Sequence, residues 1–186
     1  MFKIIKSILK IDNVEKSENV QDITKKIQKI NDYTRQYDPL NIDSIDKNDY
    51  LGLAASAKHR AKIAVKDKNY DLAWELFHEQ KKYLYSHGEK YKLNIRNMQA
   101  LEGDISENLA NILRLEGDHL DAFVHMLFSI STNPGVQSKM KKLPAYFKRT
   151  KFNIDFEDVL QYVYSLQTSD EIIFSDIQKK VKKWMI

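Results

Sequence analysis

Five histidines are the first candidates for metal or acid–base chemistry in this sequence, at positions 59, 78, 87, 119 and 125. A zinc-protease helix needs two histidines four residues apart, with a glutamate directly after the first. His78-Glu79 begins this pattern, but Lys82 occupies the position of the second histidine. The histidine spacing therefore predicts no metal site.

Carboxylates form a second candidate, because Leu-Glu-Gly-Asp occurs twice, at 101–104 and 115–118. Paired carboxylates bind metals or transfer protons when they share a site. The first copy is predicted within a helix and the second in a turn, so we expect no shared site. Cysteine is absent and the five glycines are scattered, which excludes thiol chemistry and a phosphate-binding glycine loop. We expect no catalytic residues and no cofactor, so the chain is predicted not to be an enzyme.

Basic residues recur at helical spacing in one predicted helix. Lys58, Lys62 and Lys66 stand at i, i+4 and i+8, so they share one side of that helix. This side is either a binding surface for an acidic partner or an ordinary solvated face.

A second basic stretch contains no acid between its first and last lysine and carries six cations: Lys139, Lys141, Lys142, Lys148, Arg149 and Lys151. Tyr146, Phe147 and Phe152 lie within or beside it. Cations attract phosphates and aromatic rings stack on bases, so the segment 139–152 is a candidate nucleic-acid site. The alternative is that the rings are core residues and the lysines are solvated.

Composition indicates one helix-rich globular domain. The 186 residues are 42% apolar and 30% charged, with five Gly, three Pro and a net charge of +4. Apolar side chains recur at helical spacing and no segment shows sustained alternation. We predict an all-α fold of about seven or eight helices in stacked antiparallel hairpins or a bundle.

The predicted domain spans 19–186 and follows an amphipathic segment and polar connector at 1–18. Its helices are expected near 20–37, 49–66, 70–86, 96–116, 119–131, 136–149, 156–167 and 170–184. His87-Gly88 is predicted as a frayed helix end with Gly in the left-handed conformation. Ser169 or Asp170 is expected to cap the last helix.

An internal repeat becomes visible when the sequence is shifted by 49 residues. Small residues then fall on small ones, polar turn residues on polar ones and bulky residues on bulky ones. The second copy has Ala110, Gly117, Asp118, Ala122 and Pro134; the first has Ala61, Asn69, Tyr70, Ala73 and Phe77. At these positions the sequence resembles the tetratricopeptide repeat over about 51–134, with hairpins near 51–88 and 100–134.

The resemblance departs from the family pattern at several points. Lys68 stands in place of the turn glycine, Met126 replaces the second aromatic, and the offset exceeds the family period of about 34 residues. A third unit at 136–167 is suggested by helix lengths alone. The resemblance implies that Lys58, Lys62, Asn111 and Arg114 face a concave groove for an acidic peptide or a terminal carboxylate.

The N-terminal apolar residues are interrupted by Lys3, Lys6 and Lys10, so we predict no secretory signal. No apolar run approaches the ~20 residues that a membrane span requires. We therefore expect a cytoplasmic protein. The leading hypothesis is a bacterial protein-binding module: an adaptor, a regulator, or an inhibitor such as a toxin-immunity protein. A nucleic-acid-associated factor using 139–152 is the alternative, and an enzyme with an unrecognised site ranks last.

Overall fold

The computed structural model describes residues 46–185, and this part of the chain is all-α with no strand. It contains eight helical segments: α1 (Tyr50–Lys66), α2 (Tyr70–Lys90), α3 (Ile95–Leu115), α4 (His119–Thr132), α5 (Gln137–Met140), α6 (Leu143–Thr150), α7 (Phe156–Gln167) and α8 (Phe174–Lys183). The predicted segment 1–18 and helix 20–37 lie outside the described residues. The all-α prediction is confirmed.

Two helical hairpins dominate the contacts, α1 with α2 and α3 with α4, and α2 packs on α3. The small residues predicted at the crossings, Ala61, Ala73, Ala110 and Ala122, are all fully buried. Alanine lets two helix backbones approach closely, so each hairpin is held by the area that its tight crossing removes from water.

Polar residues begin the first four helices in the same way. Asp49, Asn69, Asn94 and Asp118 each use a side-chain oxygen to accept a hydrogen bond from the backbone N–H three residues later. These N–H groups have no partner inside the helix, and a cap of this kind is worth about 1 kcal/mol. The helix starts are therefore encoded locally.

Helix α4 forms the centre of the core, where it contacts α3, α5, α6, α7 and α8. Ten of its fourteen residues are buried, so it is enclosed on nearly every side. The three last helices, α6, α7 and α8, all pack on α4. Phe123 of α4 contacts an aromatic cluster from these elements, with ring centroids 5.1 Å from Phe152 and 6.3 Å from Trp184.

The predicted end of α2 at His87-Gly88 is wrong, because the helix continues to Lys90. Gly88 is buried within it, and a Cβ there would lie 1.9 Å from the sulfur of Met98. Close approach of α3 therefore explains this glycine. The left-handed residue after the helix is Lys92, with φ 51°.

The single helix expected near 136–149 is two segments, α5 and α6. Pro144 lies in the first turn of α6, where its missing N–H costs nothing, whereas inside a longer helix it would break a hydrogen bond. The region 136–167 thus holds three helical segments of 4, 8 and 12 residues.

The last helix begins at Phe174, so neither Ser169 nor Asp170 caps it as predicted. The preceding Ile172 is buried and joined to Gln99 of α3 by two hydrogen bonds. The amide nitrogen of Gln99 donates to the Ile172 carbonyl at 2.8 Å, and its oxygen accepts from the Ile172 N–H at 3.3 Å. This tertiary contact holds the backbone at Ile172 outside a helix.

Candidate functional site

A groove of about 570 Å³ runs beside α1 and α3 and is completed by residues from α4, α6 and the turn before α6. Four residues that the sequence singled out line it together: Lys58 and Lys62 from α1, and Asn111 and Arg114 from α3. The fifth, Lys66, is exposed at the last turn of α1 and does not line the groove.

The α1 wall of the groove carries cations that have no acidic partner within residues 46–185. Lys58 is half-buried and Lys62 is exposed, and neither forms a salt bridge with any residue in 46–185. The groove as a whole has four cationic and two acidic side chains, a net formal charge of +2. The α1 wall is therefore the part of the groove that would attract an anion.

The opposite part of the groove contains an internal ion network between α3 and the segment after α4. The ammonium of Lys139 lies 2.5 Å from Asp104 and 3.7 Å from Glu107, and that of Lys142 lies 2.5 Å from Glu107. Both acids are thus neutralised from within the protein. Their charges do little to offset Lys58 and Lys62.

Arg114 is held in place at the floor of the groove. One of its terminal nitrogens donates to the side-chain oxygen of Asn111 at 2.7 Å. Arg114 also forms a side-chain hydrogen bond with Tyr146; burial raises the pKa of this tyrosine, while the guanidinium acts in the opposite direction. A guanidinium oriented in this way loses less freedom when it binds a carboxylate.

The basic stretch 139–151 is divided by the fold. Lys139 is only 3% exposed and Lys142 is paired with Glu107, whereas the remaining four cations are exposed: Lys141, Lys148, Arg149 and Lys151. Burial of Lys139 argues against its use as a phosphate contact.

Of the aromatic residues in that stretch, Tyr146 is buried, whereas Phe147 and Phe152 are half-buried. Tyr146 is 7% exposed, and the ring of Phe147 lies 5.2 Å from Phe156 and 5.9 Å from Phe152. Base stacking needs an accessible ring face. Burial of Tyr146 and the packing of Phe147 and Phe152 on neighbouring rings favour the core alternative for these side chains.

A second cavity of about 240 Å³ is lined by His78 and His125, which no sequence motif connects. They come from different hairpins and stand 47 positions apart, so no spacing rule could have paired them. Within residues 46–185, no group of three or more His, Cys, Asp or Glu is arranged to hold a metal ion. The same span contains no helix with the length and apolar character needed to cross a membrane.

Comparisons with protein-family models, curated proteins and solved structures found no match for this chain.

Proposed function

We propose that this protein is a protein-binding module that holds an acidic segment of a partner in the groove between α1 and α3. The main support is that one groove is lined by Lys58, Lys62, Asn111 and Arg114. These residues come from helices of two different hairpins, and they are the four that the repeat register predicts to share a surface.

The charge distribution supports an acidic ligand. Lys58 and Lys62 have no acidic partner in the described part of the chain, so an incoming carboxylate does not have to displace one. Asp104 and Glu107 are already paired with Lys139 and Lys142. An acidic segment would therefore pair with the α1 lysines and the oriented Arg114, and charge complementarity of this kind favours association rate and specificity.

The helix arrangement supports a helical-repeat protein of the tetratricopeptide kind. Its first helices, α1 and α3, supply most of the groove, and Ala61 and Ala110 on them are fully buried at the hairpin crossings. In such repeats the first helices present side chains to a shared concave surface. The proposal assigns this role to the α1–α3 groove.

Binding can be measured with a short fluorescent peptide of alternating Asp and Ser, and with a version in which Asn replaces each Asp. Fluorescence anisotropy should detect binding of the acidic peptide only, and the Kd should rise with salt because the contacts are between partly exposed charges. The double variant Lys58→Glu/Lys62→Glu should weaken binding by at least about tenfold, equivalent to ~1.4 kcal/mol.

The matched control reverses two exposed lysines that do not line the groove, in the variant Lys66→Glu/Lys82→Glu. It has the same net charge as the test variant, so its Kd should stay within about threefold of the wild type. If both variants lose the same affinity, overall charge explains the loss, and this result would contradict peptide binding in the groove. Unchanged binding in the test variant would contradict it as well.

A nucleic-acid role is the second candidate, favoured only by the four exposed cations of the stretch 139–151. Because no ring of the stretch is fully exposed, it would rest mainly on phosphate attraction. A labelled single-stranded oligonucleotide, titrated at low salt against the wild type and Lys148→Glu/Arg149→Glu, tests it. If this variant abolishes oligonucleotide binding and Lys58→Glu/Lys62→Glu leaves it intact, the nucleic-acid role is favoured over protein binding.

The biological form of the proposed function is an adaptor, a regulator or an inhibitor acting in a bacterial cytoplasm, and a toxin-immunity protein is one example. All of these require a partner with an exposed acidic segment. No catalytic step is part of the proposal.

A further inference from the structure

The second cavity, of about 240 Å³, lies where α2, α3, α4 and α8 meet. It is separate from the α1–α3 groove and shares no lining residue with it. Its polar lining consists of five side chains: His78, Lys81, Glu102, Ser106 and His125. Polar side chains from three helices thus converge on one cavity, an arrangement typical of ligand sites.

His125 supplies an unused hydrogen-bonding group. Its Nδ1 is buried without a partner, its Nε2 has no hydrogen bond within the described residues, and the residue lines the cavity. A buried unpaired N–H is rarer than a buried unpaired acceptor. The favoured neutral form therefore carries the proton on Nε2, where it can donate to a ligand.

His78 supplies the complementary group. Its Nδ1–H donates to the backbone carbonyl of Trp74 at 2.9 Å, which leaves Nε2 as a lone-pair acceptor in the neutral ring. Burial lowers the pKa of His78, and it lowers that of His125 to about 3. Both rings are therefore neutral near pH 7, and the cavity wall offers one donor and one acceptor.

The two charged side chains on the cavity wall cancel each other. Lys81 forms a salt bridge with Glu102, whose second oxygen accepts a hydrogen bond from Tyr85 at 2.6 Å. Because the pair is neutral as a whole, it offers no net attraction to an anionic or a cationic ligand. The remaining wall consists of two aromatic and two aliphatic side chains, Trp74, Phe174, Ile105 and Leu109. The ring of His125 lies 4.7 Å from that of Phe174 and 6.1 Å from that of Trp74.

We propose that this cavity binds a small uncharged aromatic ligand that carries a hydrogen-bond donor and acceptor side by side, as an aromatic amide does. The ring contacts Trp74 and Phe174. The ligand carbonyl accepts from Nε2–H of His125, and the ligand N–H donates to Nε2 of His78. The Nε2 atoms of both histidines thereby gain partners that the described part of the fold does not give them.

Four probes with the same ring and different polar groups test the ligand class: benzamide, benzoate, benzylamine and toluene. Binding is measured by saturation-transfer NMR and by titration of the histidine ring resonances. Benzamide should bind at least about tenfold more tightly than each of the other three, the effect expected when hydrogen bonds and charge both discriminate. If benzamide does not bind at concentrations up to about 10 mM, the cavity holds water alone and the proposal is overturned. Equal or tighter binding of any other probe overturns it as well.

Two matched variants test the location. His125→Phe keeps an aromatic ring against Phe174 but removes the donor, and it should weaken benzamide binding by about tenfold. His119→Phe is the control, because His119 also has a buried unpartnered Nδ1 but does not line the cavity. Its Kd should stay within about twofold of the wild type.

Should His125→Phe lose its helical circular dichroism, Ser106→Ala provides a smaller change on the same wall. It should also weaken benzamide binding relative to Ser129→Ala, a buried serine outside the cavity. Equal affinities in the cavity and control variants overturn the assignment. Acidic-peptide binding should be unchanged in these variants, because the cavity shares no lining residue with the groove, so the outcome is distinguishable from failure of the groove.

Discussion

Replacing Lys68 by glycine should stabilise the protein, and the second hairpin shows why. Lys68 lies in the turn between α1 and α2 with φ 59°, and Gly117, 49 positions later, takes φ 86° in the turn between α3 and α4. The N–H of Lys68 bonds to the Val65 carbonyl at 3.1 Å, and that of Gly117 to the Arg114 carbonyl at 3.3 Å. The two turns share one backbone conformation, and only the second has the residue suited to it.

The magnitude follows from the backbone alone, because the Lys68 side chain is exposed and forms no hydrogen bond or ion pair within residues 46–185. A left-handed conformation costs a residue with a Cβ about 1–2 kcal/mol. Glycine loses about 0.5–1 kcal/mol more chain entropy on folding. The net gain for Lys68→Gly is therefore about 1 kcal/mol, which corresponds to a Tm increase of about 2–4 °C in a chain of 186 residues.

The assay is urea unfolding and thermal melting followed by far-ultraviolet circular dichroism. Gly117→Ala should lower the unfolding free energy by about 1 kcal/mol, since a Cβ there would have no neighbour within 4 Å and only the backbone term remains. Lys82→Gly makes the same chemical change at an exposed position inside α2 and should destabilise by about 1 kcal/mol. A Lys68→Gly protein that loses stability as Lys82→Gly does would refute the reasoning.

Two further predictions concern packing and pH. Gly103→Ala should lower the free energy of unfolding in urea by about 1–3 kcal/mol, because the new Cβ would lie 2.1 Å from Thr132 Oγ1 and 2.3 Å from Asn133 Nδ2. Gly135→Ala, where a Cβ meets no atom within 4 Å, should be near neutral. Equal effects of the two substitutions would contradict the close approach at Gly103. Burial lowers the pKa of His125 from 6.5 to about 3, so the unfolded chain takes up a proton that the folded chain does not, and stability should fall as pH drops below about 6.5. Between about pH 7 and 5 the wild type should lose about 2 kcal/mol more than His125→Phe, and parallel losses would contradict this.

The hairpins could be predicted because their signals are local. The capping residues Asp49 and Asp118 begin α1 and α4 within one residue of the predicted starts. Alanines at the crossings repeat at a fixed offset, and their burial follows from their small size. Such features depend on a few neighbouring residues, so the sequence alone carries them.

The wrong boundaries all depend on a distant partner or a special residue. Gly88 is a residue type typical of helix ends, but here it permits the close approach of Met98. Ile172 is kept out of a helix by its hydrogen bonds with Gln99. Pro144 divides the helix expected at 136–149. Only the Pro144 break was open to prediction, since proline acts locally whereas the other two involve another helix.

The candidate sites show the same division. Lys58 and Lys62 could be selected from their spacing on one helix, and Asn111 and Arg114 from the repeat register. The burial of Lys139 against Asp104 could not, because it depends on how the segment after α4 folds back onto α3. The cavity between His78 and His125 has no sequence signal at all.

The sequence by itself therefore determined the all-α class, the two hairpins, and which side chains share a face of one helix, because helical periodicity and capping act over a few residues. The tertiary structure decided which charges are paired, which rings are buried, and which polar groups meet in a cavity. These depend on contacts between residues tens of positions apart, such as Lys139 with Asp104 and Gln99 with Ile172. Packing around α4 determines those contacts, and no periodicity in the chain encodes it.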